Sequence, residues 1–391
     1  MGKKFWSSVT TFVFVITLLS LVTVACAQPA PAPAPAPSPA PAPAPSPAPS
    51  PSPAPAPAPS PAPSPSPAPA PAPAPANVEL VFGMHSPPLS GHGIVAEAWY
   101  KELEKRSGGR IKIKYFPAGA LVANKDQYDF LVAGNADIIQ TNPGYTPGRF
   151  PSINVAIMPF TVPDCIVAAQ ALQATFESTP TIQQEFSAVR SLFYATTQVR
   201  QLFTARKAVR GLADMKGLKI RATDDTAAVT LTYLGAVPVI MPPTEVYTGM
   251  ERGIIDGVLF EWDAATAFKA AEVSRYVTLL DINLSLFGTW MNKDSYNKLP
   301  SDLQRVIDSV SGIDGSLWFG TGMSDKNAKD YVTISGSGNI EFITLSSEER
   351  QNFVKAVTPQ YNAWVKSEED MGKPGADILN TWRKEVARFS K

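Results

Sequence analysis

The chain has 391 residues, with 34 basic and 34 acidic side chains, 39 prolines, two cysteines and two histidines. Most of the prolines lie between Pro29 and Pro75, so about 315 residues remain to fold, enough for two α/β lobes. Zero formal net charge argues against nucleic acid as a partner, and with one of the two cysteines in the N-terminal export region no intrachain disulfide is expected.

Lys3 and Lys4 precede an apolar run from Val9 to Val24, followed by Thr23-Val24-Ala25-Cys26. A charged start, a short apolar stretch and a small residue before the cut describe an export signal. Cys26 directly after Ala25 resembles a bacterial lipobox, with Thr23 where leucine is usual; acylation of Cys26 would then anchor the mature protein to a membrane. An uncleaved anchor helix and an ordinary signal peptide are the alternatives, and all three readings export the protein. Residues 27–76 are Ala-Pro and Ser-Pro repeats without charge or large apolar groups. Such a segment has nothing to bury and reads as an extended polyproline II tether of roughly 150 Å at ~3.1 Å per residue.

After the tether, Val78–Gly83 reads as a buried strand and Ile94–Arg106 as an amphipathic helix stopped at Ser107-Gly108-Gly109. Arg110–Phe116 alternates Ile111, Ile113 and Tyr115 with Lys112 and Lys114, completing a βαβ unit. Asn124-x-x-Gln127 is expected to cap a helix ending at Gly134, and Ala136–Thr141 is the next strand. Its exit loop, Asn142-Pro143-Gly144-Tyr145, lies at a strand's carboxyl end, where open α/β sheets bind ligands. Asn142 and Tyr145 are therefore candidates to face a cleft, and His85, just after the first strand, occupies an equivalent place. Asn142 before Pro143 also reads as a turn former and Tyr145 as core. Cys165, heading an apolar helical stretch, reads as a buried inert thiol.

Ser191–Thr197 reads as a strand running directly into Gln198-Val199-Arg200-Gln201-Leu202-Phe203. Gly217–Ala222 alternates Leu218 and Ile220 with Lys219 and Arg221, and Thr223–Asp225 supplies cap residues for a helix stopped by Gly235. Strand Val237–Met241, helix Glu245–Arg252 and strand Ile255–Phe260 follow, and Glu261 and Trp262 come at the end of the last. After Pro300 a helical pattern runs toward Lys329, Asn339–Leu345 is a late strand, Ser346-x-x-Glu349 opens a helix through Trp364, and a last helix spans Ala376–Phe389.

Gly217-Leu218-Lys219-Ile220-Arg221, Leu234-Gly235-Ala236 with Pro238-Val239, Pro243 with Glu245-Val246-Tyr247, Ile255-Asp256-Gly257 and Met291-Asn292-Lys293-Asp294-Ser295 occur in this order. Together they resemble the solute-binding subunits of TRAP (tripartite ATP-independent periplasmic) transporters of the dicarboxylate-receptor (DctP) type, over nearly the whole chain after Ala76. The resemblance implies an α/β, two-lobed periplasmic-binding-protein-like fold with hinge-crossing strands and a ligand cleft between the lobes. It implies an extracytoplasmic receptor that binds a small organic acid and delivers it to TRAP permease subunits. On this reading residues 1–25 are the signal and 26–76 the lipidated cysteine and tether. Residues 77–197 with roughly 285–325 form the first lobe, and 198–284 with roughly 326–391 the second.

Arginine presents a planar fork that matches a carboxylate. The resemblance makes Arg221 the main carboxylate clamp and Arg200 a second contact, while Arg206 and Arg210 read as surface charges. Trp262 is placed to stack on an apolar part of the ligand or to pack between lobes, and Trp290 to line the cleft or the core. In sialic-acid receptors an acidic residue stands where Asn142 aligns and an asparagine where Phe260 aligns, so their absence counts against sialic acid. Glu261 alone, without a second oxygen-rich cluster, predicts no metal site, and no cofactor is expected. An ABC-type receptor and an exported hydrolase are the rival readings; His85, His92 and Cys165 offer little from which to build a nucleophile and base.

Overall fold

Residues 77–391 are described by a computed structural model; Cys26, the export signal and the Ala/Pro/Ser segment lie outside the described residues. The first lobe starts with β1 (Val78–Met84), α1 (Gly91–Arg106) and β2 (Ile111–Phe116), with β1 and β2 parallel as the βαβ pattern requires. Ser90 caps α1, its Oγ accepting from the Gly93 amide at 3.1 Å. Next come α2 (Gln127–Val132), β3 (Ile138–Thr141), α3 (Cys165–Ser178), α4 (Pro180–Glu185) and β4 (Arg190–Thr196). Asn124 does not cap α2 as its spacing suggested. It opens a 3-10 turn, and its side-chain Oδ1 accepts from the Gln127 side chain rather than from a backbone amide.

The chain then leaves for a second sheet: β5 (Gln201–Thr204), β6 (Lys219–Ala222), α5 (Asp225–Tyr233), β7 (Val237–Ile240), α6 (Val246–Arg252), β8 (Gly257–Phe260), α7 (Trp262–Ala267) and β9 (Tyr276–Leu279). Asp224 caps α5 by accepting from the Ala227 amide at 2.9 Å. It returns as β10 (Leu286–Met291), α8 (Lys293–Asn297) and α9 (Ser301–Asp308), and ends with α10 (Gly312–Ser335), β11 (Glu341–Thr344), α11 (Ser347–Asp370) and α12 (Gly375–Phe389).

The first sheet has the order β2-β1-β3-β10-β4, so β10, formed far downstream, is inserted antiparallel between β3 and β4. The second has the order β11-β9-β5-β8-β6-β7. Pro238 is tolerated in β7 because that strand is an edge. Each sheet buries both faces. In the first, Phe82 and Met84 pack on one side and Ile139 and Trp290 on the other; in the second, Leu202 and Ile220 face one core and Phe203 and Val258 the other. Trp290 is fully buried among Tyr128, Phe150, Phe186 and Tyr194, so it belongs to the core and not to the cleft. Cys165 is also fully buried, and burial pushes its thiol up to about 12.

Two extended segments cross side by side between the sheets. The Thr197 amide donates to Ser285 O at 2.9 Å and the Arg200 amide to Asn283 O at 2.8 Å, which locks both crossings together. The long helices cross as well. In α10, Phe319 and Met323 belong to the first lobe's core and Ile334 to the second's; in α11, Phe353 and Val357 belong to the second and Tyr361 to the first. Helix α12 corrects the lobe assignment expected for residues 326–391: Ile378, Leu379 and Trp382 pack into the first lobe's core with Ala168, Ala171 and Leu172 of α3. A helical period shows that a helix has an apolar stripe but not which sheet the stripe covers.

Candidate functional site

The strand registers determine which residues meet. β1, β3 and β4 end, and β10 begins, at one edge of the first sheet; β6 and β8 end, and β5 begins, at one edge of the second. Residues just beyond those strands, including His85, Asn142, Arg200, Glu261 and Ser285, therefore collect where the sheets face each other, as expected of ligand sites in open α/β sheets.

Arg221 pairs with Val258 across β6 and β8, which puts its side chain on the same face as Phe260, diagonally one step on. Its guanidinium carbon lies 5.3 Å from the Phe260 ring centre. Nε donates to Met241 O and Nη1 to Thr223 Oγ1, both at 3.1 Å, leaving Nη2 without a hydrogen-bond partner among the described residues. The side chain that alternation places on a polar strand face is thus only 4% exposed. Burial, and next the charge of Arg200, lower its pKa to about 10, so it stays cationic at neutral pH.

Arg200 precedes β5 and Glu261 follows β8. Because Gln201 pairs with Phe260 in an antiparallel ladder, the next two residues outward stand opposite each other. Arg200 Nε lies 3.6 Å from Glu261 Oε2, and the two residues are 5% and 7% exposed. Neither of these two atoms has a hydrogen-bond partner among the described residues, while Arg200 Nη2 donates to Ser285 Oγ on the returning crossing segment. Burial raises the Glu261 carboxyl pKa and the Arg200 charge opposes it.

Tyr145 comes within electrostatic reach of Arg221, Arg200 and Glu261; burial raises its pKa, keeping the phenol a neutral donor. The His85 ring is 6.2 Å from Tyr145 and stacks on Phe287 at 4.5 Å with an interplanar angle of 11°. Its two nitrogens contact Gln140 O and Ser86 Oγ, and burial lowers its pKa to about 4. Asn142 accepts from the Gly144 amide at 2.7 Å, the turn-forming role its Asn-Pro context suggested, and it also lines a crevice of ≈ 290 Å³ with Thr223, Asp224, Ile240 and Ser285.

Trp262 is not brought to this group. Its ring packs on Phe203, Tyr331 and Phe342 inside the second lobe, away from the two arginines. The next residue, Asp263, which the sequence reading did not single out, links the lobes: its carboxylate accepts from the Gly91 amide at the start of α1 at 3.2 Å and pairs with Lys326 at 3.2 Å. Gly91 allows that approach, since a Cβ there would stand 2.8 Å from Asp263 Oδ2. Phe287 and Ser285 were not singled out either: the resemblance returns the chain to the first lobe near residue 285, but no local pattern shows which of its side chains meet His85 and Arg200.

A sequence profile of the bacterial extracellular solute-binding protein family 7 (DctP) matches residues 82–368. The chain belongs to this family. Among solved structures, a TRAP solute-binding protein from Rhodoferax ferrireducens T118, in complex with copurified benzoate, is 30% identical. The alignment covers 80% of this chain and 99% of that one, with a TM-score of 0.75. A marine-metagenome TRAP solute-binding protein specific for aromatic acid ligands, in complex with 3-hydroxybenzoate, is 25% identical over 81% of this chain and 100% of that one, with a TM-score of 0.76. The 2,3-diketo-L-gulonate-binding periplasmic protein of Escherichia coli K12 is 26% identical over 59% of this chain and 70% of its own length. This family 7 member is a TRAP-type solute-binding protein with a two-lobed α/β fold.

Proposed function

We propose that the ligand is a small organic acid with an aromatic or otherwise flat apolar body, its carboxylate held by Arg221 and its body set among Tyr145, His85, Phe287 and Phe260. The observation that carries this reading is the Arg221 fork: two of its nitrogens are fixed by Met241 O and Thr223, and Nη2 is left over in a water-poor site walled by rings. A fixed, desolvated guanidinium needs an anion, and ring faces favour a planar partner. The benzoate and 3-hydroxybenzoate held by two relatives are in keeping with it. The bound acid is handed unchanged to the permease subunits in the same membrane. Lobe closure couples ligand affinity to a shape that the permease recognises.

The receptor is held at the outer face of that membrane by an acylated Cys26, with residues 27–76 as the tether. The export signal and the placement of Cys26 directly after Ala25 support this. Mass spectrometry of the native protein should find a diacylated or triacylated Cys26 terminus, and release of an unmodified protein starting elsewhere would remove the anchor. For the ligand, a thermal-shift screen of carboxylic acids followed by calorimetry is the test. Benzoate or a substituted benzoate should raise the melting temperature; a response confined to hydrophilic sugar acids would overturn the aromatic assignment.

A further inference from the structure

Resting on the reading that Arg221 receives the ligand's carboxylate, we propose that Glu261 sets the charge of the ligand, restricting this receptor to monoanions and rejecting dicarboxylates. Two guanidinium groups, Arg200 and Arg221, are each at most 5% exposed. Arg200 faces Glu261 at 3.6 Å, just beyond the last pair of the β5/β8 ladder. Ser285 accepts from Arg200 Nη2, which fixes the direction of the Arg200 fork.

Asp224, also near, caps α5 and is stabilised there by the Ala227 amide and the helix N-terminus. Lys326, which it shares with the buried Asp330, and the α1 amide of Gly91 hold Asp263. His85 and His92 are neutral at pH 7, since burial lowers both, and Tyr145 is a neutral phenol. Arg221 alone is left without a carboxylate in contact: among the described residues Glu261 and Asp224 act on its charge only from a distance. A monoanion balances it. A dianion would leave one uncompensated negative charge beside Glu261 in a site that excludes water, which is strongly unfavourable.

Calorimetry at pH 7.5 on the intact receptor, with benzoate and isophthalate as the mono- and dianionic probes, decides the matter. Wild type is expected to bind benzoate at least tenfold tighter than isophthalate. In Glu261→Gln the ratio should shift toward isophthalate by tenfold or more, with the melting temperature showing the fold intact. An unchanged ratio overturns the proposal. Should Glu261→Gln not fold, Arg200→Gln and the Arg200→Gln/Glu261→Gln pair replace it. Arg200→Gln alone should lose benzoate affinity at least tenfold, and the double variant should regain it to within about threefold of wild type while still refusing isophthalate. Failure to regain it is equally fatal. If wild type binds neither aromatic probe, the aromatic reading fails by itself, and the charge rule is decided by the same ratio for propionate against succinate.

Discussion

Arg200 and Glu261 stand opposite each other because Gln201 and Phe260 are paired across an antiparallel ladder, and their charged atoms lie 3.6 Å apart with almost no exposure. An ion pair in this position does not add free binding capacity. On the reading proposed above it takes one of two arginines out of competition for the ligand, and Arg200 also ties the second lobe's first strand to Ser285 of the returning crossing segment.

Arg221 should therefore dominate affinity. Truncating one partner of a desolvated charge pair costs about 2–5 kcal/mol, so Arg221→Ala is expected to weaken binding of the best acid from a thermal-shift screen by about thirtyfold or more. Arg221→Lys should restore only part of this, because an ammonium cannot reach Met241 O, Thr223 and the ligand together. Arg206→Ala, at an exposed residue that contacts Glu251 O, should be nearly silent. Isothermal calorimetry on the three variants gives the order, and wild-type affinity in a folded Arg221→Ala protein would abolish the clamp.

Arg200→Ala should show itself first in stability. It leaves Glu261 buried without its counter-charge, a change that typically costs about 3–5 kcal/mol. Combining it with Glu261→Ala should recover most of the loss, since the uncompensated charge is then gone. Urea unfolding of the two single variants and the double variant forms the cycle. Additive losses would mean that the pair is not coupled.

Asp263 joins the lobes through Gly91 and Lys326, so weakening it should favour opening. Asp263→Ala and Gly91→Ala, the latter by pushing a Cβ against the carboxylate, should each speed ligand release about three- to tenfold with little change in the association rate. Stopped-flow displacement measures this. Equal release rates in all three proteins would show that Asp263 does not hold the closed arrangement.

The two histidines predict a pH effect on stability. Burial lowers His85 from about 6.5 when unfolded to about 4 when folded, and lowers His92 as well. Between those values the unfolded chain binds more protons than the folded one, so their contribution to stability falls as pH drops from about 6.5 to about 4. The melting temperature of His92→Phe, which keeps a ring against Phe287 and Phe319, should therefore decline less over this range than that of wild type. Parallel curves would place the histidine charge elsewhere.

The alternation Leu218, Lys219, Ile220, Arg221 identifies a strand, and the cap at Asp224 shows where it must end, so Arg221 could be placed at a carboxyl edge from local chemistry alone. The same held for the βαβ start, Ser346 as a cap and the loop after Thr141. These features depend on neighbours within a few residues. What the sequence could not decide were the partners brought by long-range pairing. Asn124 has capping spacing, but its side-chain Oδ1 goes to the Gln127 side chain. Trp262 sits at the cleft edge in sequence, yet its backbone amide is held by Asn327 and its ring turns into the core. Phe287 and Ser285 enter only because β10 returns between β3 and β4, and α12 joins the first lobe only because α11 carries the chain back. Apolar period and caps specify an element and its exposed stripe; sheet order, strand register and the burial they create decide which distant charges must face each other, and so which arginine remains free for a ligand.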